Sequence, residues 1–216
     1  MKDAPKKGGA AKTGRAKDAA KLERVIDAAI TEFALHGYKK ANTNRIVEKA
    51  GISKGLLFHY FGSKKELYLY LYDYAVRMVV EEVVERFDVT ERDIFKRWKA
   101  GARIKFALMR KNPMLFEFIL DAYLRASDEV KGSIDTSTLS WMAWSSERAL
   151  ASADLSLFRD GVDPRKALEI VYWCQEGYSK KWLNPENRLD YYEKRQEEMV
   201  EGLFEYLDLL KEVFYK

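Results

Sequence analysis

The run Ile46-Val47-Glu48-Lys49-Ala50-Gly51-Ile52-Ser53-Lys54-Gly55-Leu56-Leu57-Phe58-His59-Tyr60-Phe61 reads as two short helical segments meeting at a glycine. Asn42-Thr43 places capping side chains before the first segment, and Gly51 ends it. Ser53 caps the second, which runs through Tyr60 and stops at Gly62. Ile46, Val47, Ala50, Ile52 and Leu57 fall where they form one small shared core, and the small pair Ala50-Gly51 lets the two helices approach closely. This is the layout of a helix-turn-helix, whose second helix has the dimensions to enter a major groove.

Towards the N-terminus, Leu22, Val25, Ile26, Ala29, Ile30 and Phe33 recur at steps of three and four and mark one apolar helical face, with Gly37 as its stop. Residues 1–16, with Gly8-Gly9 and many Ala and Lys, read as a flexible arm. Residues 1–24 hold eight Lys and Arg against three Asp and Glu, whereas the whole chain has a net charge of +4, so the remainder sums to −1. A basic end on a near-neutral body implies an anionic partner at that end. Lys2, Lys6, Lys7, Lys12, Arg15 and Lys17 are expected to add sequence-independent phosphate contacts; the bland alternative is a solubilising tail.

Downstream, Ser63-Lys64-Lys65-Glu66 has the form of a capping box and opens a long helix through Leu67, Leu71, Tyr74 and Met78. Thr90 is placed to cap the next helix, through Ile94, Trp98, Ile104, Phe106 and Met109. Asn112-Pro113 starts another with Phe116, Ile119 and Tyr123 inward, and Ser127-Asp128 precedes a stretch carrying Trp141 and Trp144. Asp163-Pro164 is an N-cap followed by proline at the first helical position, and Asn184-Pro185 closes that helix after Trp182. A last helix from about Asp190 aligns Met199, Leu203, Leu207, Leu210 and Phe214. The fold class is therefore all-α, with about nine helices. The expected division is an arm over 1–16, a helix-turn-helix domain over 17–66 and a helical body over 67–216.

Composition narrows the chemistry. One cysteine, Cys174, permits no internal disulfide, and with His36 and His59 it supplies no metal-ligand cluster. Glycine loops of the phosphate-cradling kind, nucleophile elbows and zinc motifs are absent, so neither an enzyme nor a cofactor is expected. No apolar run reaches the roughly 18 residues that span a bilayer, and the basic N-terminus lacks a signal peptide's apolar region, so the expected location is the cytosol.

Residues 24–72 resemble the N-terminal domain of the TetR/AcrR family, through the turn and second helix quoted above and through Gly62-Ser63-Lys64-Lys65-Glu66-Leu67. The match covers about a quarter of the chain and is specific. The resemblance implies a nine-helix subunit with a small DNA-binding head and a larger ligand-binding body. It implies a homodimer in which the last two helices of each subunit pair as a four-helix bundle, a double-stranded DNA operator, and repression relieved by a small-molecule effector. It also implies DNA contacts at Asn42, Thr43 and Asn44, at Ser53, Lys54, Gly55 and Leu56, at His59 and Tyr60, and at Lys64. Leu56 departs from the small polar residue frequent at its position and suits a thymine methyl instead. Phe58 departs from the usual Tyr; it and Phe61 are also readable as head core.

The body's aromatics Trp98, Phe106, Phe116, Tyr123, Trp141, Trp144, Tyr172 and Tyr178 are the candidates to line a ligand pocket; ordinary core is the alternative for most of them. Glu117 and Asp121 lie four apart on one helix face. They are read as a solvent-facing acidic stripe, with a cationic-ligand site as the alternative. Ala122, beside Phe118 and Tyr123, is expected to line the cavity. A constitutive DNA binder without effector, or an activator, remains the alternative function.

Overall fold

A computed structural model describes residues 9–86, 88, 90–181 and 188–216, with side chains from residue 19 onward apart from 188–194 and 196. The expectations for Lys2, Lys6 and Lys7, for Trp182 and for Asn184-Pro185 lie outside the described residues. Those for Lys12, Arg15 and Lys17 concern side chains that are likewise outside them.

Among the described residues the order is α1 (Gly9–Lys40), α2 (Thr43–Ala50), α3 (Lys54–Phe61), α4 (Lys64–Glu85), α5 (Ile94–Lys111), α6 (Pro113–Arg125), α7 (Asp128–Ala151), a 3-10 turn (Leu155–Leu157), α8 (Pro164–Lys181) and α9 (Arg188–Phe214). The all-α expectation holds. Extended pairing among these residues comes to one isolated antiparallel bridge, Phe158 with Tyr215.

Two local expectations are corrected. Helix α1 starts at Gly9, inside the stretch read as a flexible arm, because the Ala and Lys that suggested a loose tail are also strong helix formers. The cap of α5 is Asp93, not Thr90: its carboxylate accepts from the N–H groups of Phe95 (3.0 Å) and Lys96 (3.3 Å). Thr90 instead closes a turn on Asp88. An ionised carboxylate facing the free N–H groups outcompetes a hydroxyl three residues earlier.

The chain forms two compact units. The first comprises the described residues up to Tyr74 together with Phe118–Ile134; the second comprises Ala75–Glu117 and Asp135–Lys216. Helix α4 therefore contributes its first half to one unit and its second half to the other.

The core of the first unit is aromatic. Phe33, Tyr68 and Phe118 are fully buried and meet at ring distances of 4.9 to 6.1 Å, with Tyr38 edge-on to Tyr68 at 4.9 Å. Ala122 is also fully buried in this unit, so it offers no surface to a cavity, contrary to expectation. The second unit centres on Ile94 and Phe95 of α5, Ala149 of α7, Leu168 and Val171 of α8, and Leu203, Phe204 and Leu207 of α9. Its polar ties are buried or half-buried. Arg97 donates to the carbonyls of Glu91, Ala149 and Ser152 and to Ser152 Oγ, while Lys211 meets Asp93 at 2.5 Å.

Candidate nucleic-acid interface

The helix-turn-helix is built from caps inward. Asn42 Oδ1 accepts from Asn44 N–H (2.8 Å) at the start of α2, and Ser53 Oγ accepts from Leu56 N–H (3.2 Å) at the start of α3. Gly51 ends α2 with φ +65° and Gly62 follows α3 with φ +69°, conformations that a side chain would strain. Between the caps, Ile46, Ala50 and Leu57 are fully buried, while Val47 and Ile52 are half-buried at the rim of the same core. At α4 the capping box is half made. Ser63 Oγ accepts from Glu66 N–H (3.1 Å), but Ser63 N–H donates to Phe61 O (2.7 Å) rather than to the Glu66 carboxylate.

Two ties orient this pair of helices against α1, and neither was expected from the sequence. Glu32, 8 % exposed, accepts from the backbone N–H of Asn42 (2.8 Å) and from Arg45 Nε (3.0 Å), so one carboxylate holds both the cap and the first turn of α2. Arg24 Nε donates to Ala50 O (3.1 Å) at the other end of α2. Burial pushes the Glu32 carboxyl up; the hydrogen bonds from Arg45 and Asn42 and the charges of His36 and Arg45 outweigh it and hold its pKa below the ordinary 4.5. A carboxyl depressed by folding stabilises above its unfolded pKa, and that contribution is lost as pH falls through the folded value. Glu32→Gln should therefore cost about 2 kcal/mol in urea unfolding at pH 7. The gap from wild type should close as the pH is taken below 4.5. A gap that is the same at pH 7 and pH 3 would refute the assignment.

The residues expected to meet DNA fall into two groups. Asn42, Asn44, Ser53, Lys54, Gly55, His59 and Tyr60 are exposed, and Thr43 and Leu56 are half-covered beside them. They occupy the start of α2 and the outward side of α3, opposite buried Leu57. Lys64 differs. Its ammonium is turned back to the carbonyls of Ala41 (2.7 Å) and Lys39 (3.3 Å) and lies 5.2 Å from the Tyr38 ring centre. Carbonyls at a helix end lack intrahelical partners and attract a cation, so Lys64 closes the end of α1. Phe58 and Phe61 are both half-buried, and Phe61 packs on Tyr70 at 5.2 Å.

The acidic pair is corrected. Glu117 and Asp121 are both buried, at 8 % and 9 % exposure, so they do not form a solvent-facing stripe. Asp121 belongs to the first unit, where Arg125 stands 3.9 Å away and the bare Cα of Gly37 lets its carboxylate come close. Burial first, and then the Asp121 charge, raise the Tyr68 hydroxyl above its usual range. In the same unit Tyr38 donates to Glu129 (2.7 Å); burial and that bond push its pKa up to about 12. Head and residues 118–134 thus share one packed interior.

The expected pocket aromatics do not all fall in one unit. Tyr123 lies in the first unit; the other seven lie in the second. Phe116 is a core residue at 4 % exposure, whereas Trp98, Phe106, Trp141, Trp144, Tyr172 and Tyr178 are half-buried. Trp141 and Trp144 meet edge to face at 5.6 Å. Tyr178 pairs with Tyr206 at 5.5 Å and reaches over the bare Cα of Gly202.

A capped helix-turn-helix whose second helix is largely exposed, carried by an all-α chain, defines the class of helical helix-turn-helix proteins. Residues 25–71 match the family model for bacterial regulatory proteins of the tetR family. Relatives include the transcriptional repressor AcnR of Corynebacterium efficiens, 36% identical over 63 residues that cover 29% of this chain and 34% of that one. The fatty acid metabolism regulator protein of Bacillus subtilis is 29% identical over 89 residues, 41% of each chain. The matched region thus spans well under half the length of either relative. Two solved structures share the fold across most of the chain. The fatty acid degradation regulator FadR of Bacillus halodurans has a TM-score of 0.67 at 18% identity, covering 86% of this chain and 97% of that one. FadR of Bacillus subtilis, solved with stearoyl-CoA, has a TM-score of 0.64 at 18% identity, covering 88% and 97%.

Proposed function

We propose that the protein is a cytosolic, homodimeric transcriptional repressor that binds a palindromic operator through α3 and is released from it by a small, largely apolar ligand in its helical body. The observation that carries this reading is the orientation of α3: Leu57 is wholly buried against Ile46 and Ala50, which leaves Lys54, Gly55, Leu56, His59 and Tyr60 on the outward side. The N-terminus of α2, with Asn42, Thr43 and Asn44, suits a phosphate. Pairing through α8 and α9 is supported by their exposed apolar stripes: Ile170 and Trp173 on one, Tyr206, Leu209 and Val213 on the other. Release by a ligand is supported by the half-buried aromatics of the second unit and by the stearoyl-CoA bound to the similar FadR. No helix among the described residues is long and apolar enough to cross a membrane.

Selection of bound fragments from random DNA tests the first half of this proposal. Each subunit contributes one reading helix, so the sites should be inverted repeats. Adding long-chain acyl-CoA should then weaken operator binding about 5- to 150-fold, the usual span of an allosteric coupling. Asymmetric sites bound by a monomer would overturn the proposal. A ligand that occupies the body without moving operator affinity would leave a constitutive DNA binder.

A further inference from the structure

Helix α1 does not run evenly into the helix-turn-helix. Gly37 has φ +65° and ψ 172°, so the helix breaks there, and Tyr38–Lys40 make one further turn before Asn42, the cap of α2. Ala41 N–H closes that turn on Gly37 O (3.1 Å). So short a turn has too few hydrogen bonds of its own to fix its place. The groups that hold it from outside decide where the N-terminus of α2 points.

Side chains from three helices reach this corner. From α4, Lys64 donates to the carbonyls of Ala41 (2.7 Å) and Lys39 (3.3 Å). From α1 itself, Glu32 accepts from Asn42 N–H (2.8 Å). From the first turn of α7, Glu129 accepts from the Tyr38 hydroxyl at 2.7 Å, across 91 residues of sequence. The last tie is of a different kind. Lys64 and Glu32 belong to the stretch that carries the helix-turn-helix, whereas Glu129 belongs to a distant part of the chain that packs with it.

The bond is well made. A hydroxyl facing an ionised carboxylate forms one of the stronger hydrogen bonds. Its donor is held in place, because the Tyr38 ring stands edge-on to buried Tyr68 at 4.9 Å and 5.2 Å from the Lys64 ammonium. The Glu129 charge also acts on Lys64, against the lowering that burial imposes on that ammonium's pKa. One carboxylate of α7 thus bears on both side chains, Tyr38 and Lys64, that steady the corner. Its neighbour Asp128 is exposed and has no hydrogen-bond or ion-pair partner among the described residues.

We propose that Tyr38 and Glu129 are positioning residues for DNA binding: their hydrogen bond ties the start of α7 to the turn that carries the cap of α2, and so sets where the N-terminus of α2 meets the DNA backbone. This rests on the DNA-binding reading above and assigns it two residues that touch no DNA.

The test uses the full-length protein, amide hydrogen exchange without DNA, and affinity for a duplex that the wild type selects from random DNA. Tyr38→Phe keeps the ring and removes the hydroxyl. It should speed exchange across residues 38–46 about fivefold, the opening expected when one hydrogen bond is lost, and weaken duplex binding by up to a similar factor. Glu129→Ala should do the same, and combining the two changes should add little, because both remove one bond. Charge alone predicts the opposite sign, since losing a carboxylate makes the protein more basic and strengthens its hold on phosphate. Asp128→Ala makes the same charge change without touching Tyr38 and should bind the duplex at least as tightly as wild type. Glu129→Gln retains an oxygen acceptor and should stay within about twofold of wild type. A wild type that selects no duplex overturns the DNA-binding reading and the role given to this bond with it. With a duplex in hand, unchanged exchange in Tyr38→Phe, equal losses in Glu129→Ala and Asp128→Ala, or additive losses in the double variant overturn the positioning role while that reading stands.

Discussion

Leu57→Ala should cost about 3 kcal/mol in unfolding free energy and abolish measurable operator binding at concentrations where wild type is saturated. Leu57 is 0 % exposed, and Ile46 and Ala50 of α2 are buried as fully. Truncation removes three heavy atoms from a fully buried position, which costs both their burial and any cavity left behind. The penalty is a large part of a marginal stability of about 5–15 kcal/mol. Operator binding then falls because α3 is no longer held at its reading angle. The neighbouring Leu56→Ala is the control. Leu56 is half-covered and lies on the outward side of α3, so its truncation should cost under about 1 kcal/mol of stability. Any loss of operator affinity in that variant would come from the DNA contact itself. Urea unfolding and operator titration of both variants check the pair. Equal stability losses at Leu56 and Leu57 would show that α3 does not face as described.

The double variant Trp173→Glu with Leu209→Glu should convert the protein from a dimer of about twice 25.2 kDa into a monomer and reduce operator affinity more than about 100-fold. Trp173 is 61% exposed and Leu209 57%, on helices that also expose Ile170, Tyr206 and Val213. Burying such a surface against a second copy gains roughly 25 cal/mol per Å², whereas a carboxylate in its centre must be desolvated without a partner. A monomer reads only half of a palindrome and loses the high effective concentration of the second head. The unfolding midpoint, measured under conditions where both species are monomeric, should hardly change, because neither side chain belongs to the core of the second unit. Sedimentation of the variant as a dimer would place the pairing surface elsewhere.

Local grammar in this chain is unusually explicit. Asn42, Ser53, Ser63 and Asp163 act as caps where the sequence places them, and Gly51 and Gly62 have the positive φ that their positions require. These are interactions between residues two to four apart, so a capping residue and a following apolar period suffice to read them. Glu32 with Arg45, Lys64 with the end of α1, Tyr38 with Glu129 and Asp121 beside Gly37 join residues 13 to 91 apart. Each partner alone resembles an ordinary surface side chain. The acidic pair shows the consequence: four-residue spacing puts Glu117 and Asp121 on one face, but the face is buried.

The sequence by itself determined the all-α class, the helix-turn-helix and the family of the head, because each depends on short-range periodicity, capping and a contiguous motif. It also put Ile46, Ala50 and Leu57 inside that head. Only the tertiary structure decided that residues 118–134 pack with the head, that Lys64 turns inward, and that Glu117 and Asp121 are buried. Those facts depend on which helix faces meet across long stretches of chain. Helical periodicity records that a face is apolar or charged; what it packs against is set by the other helices.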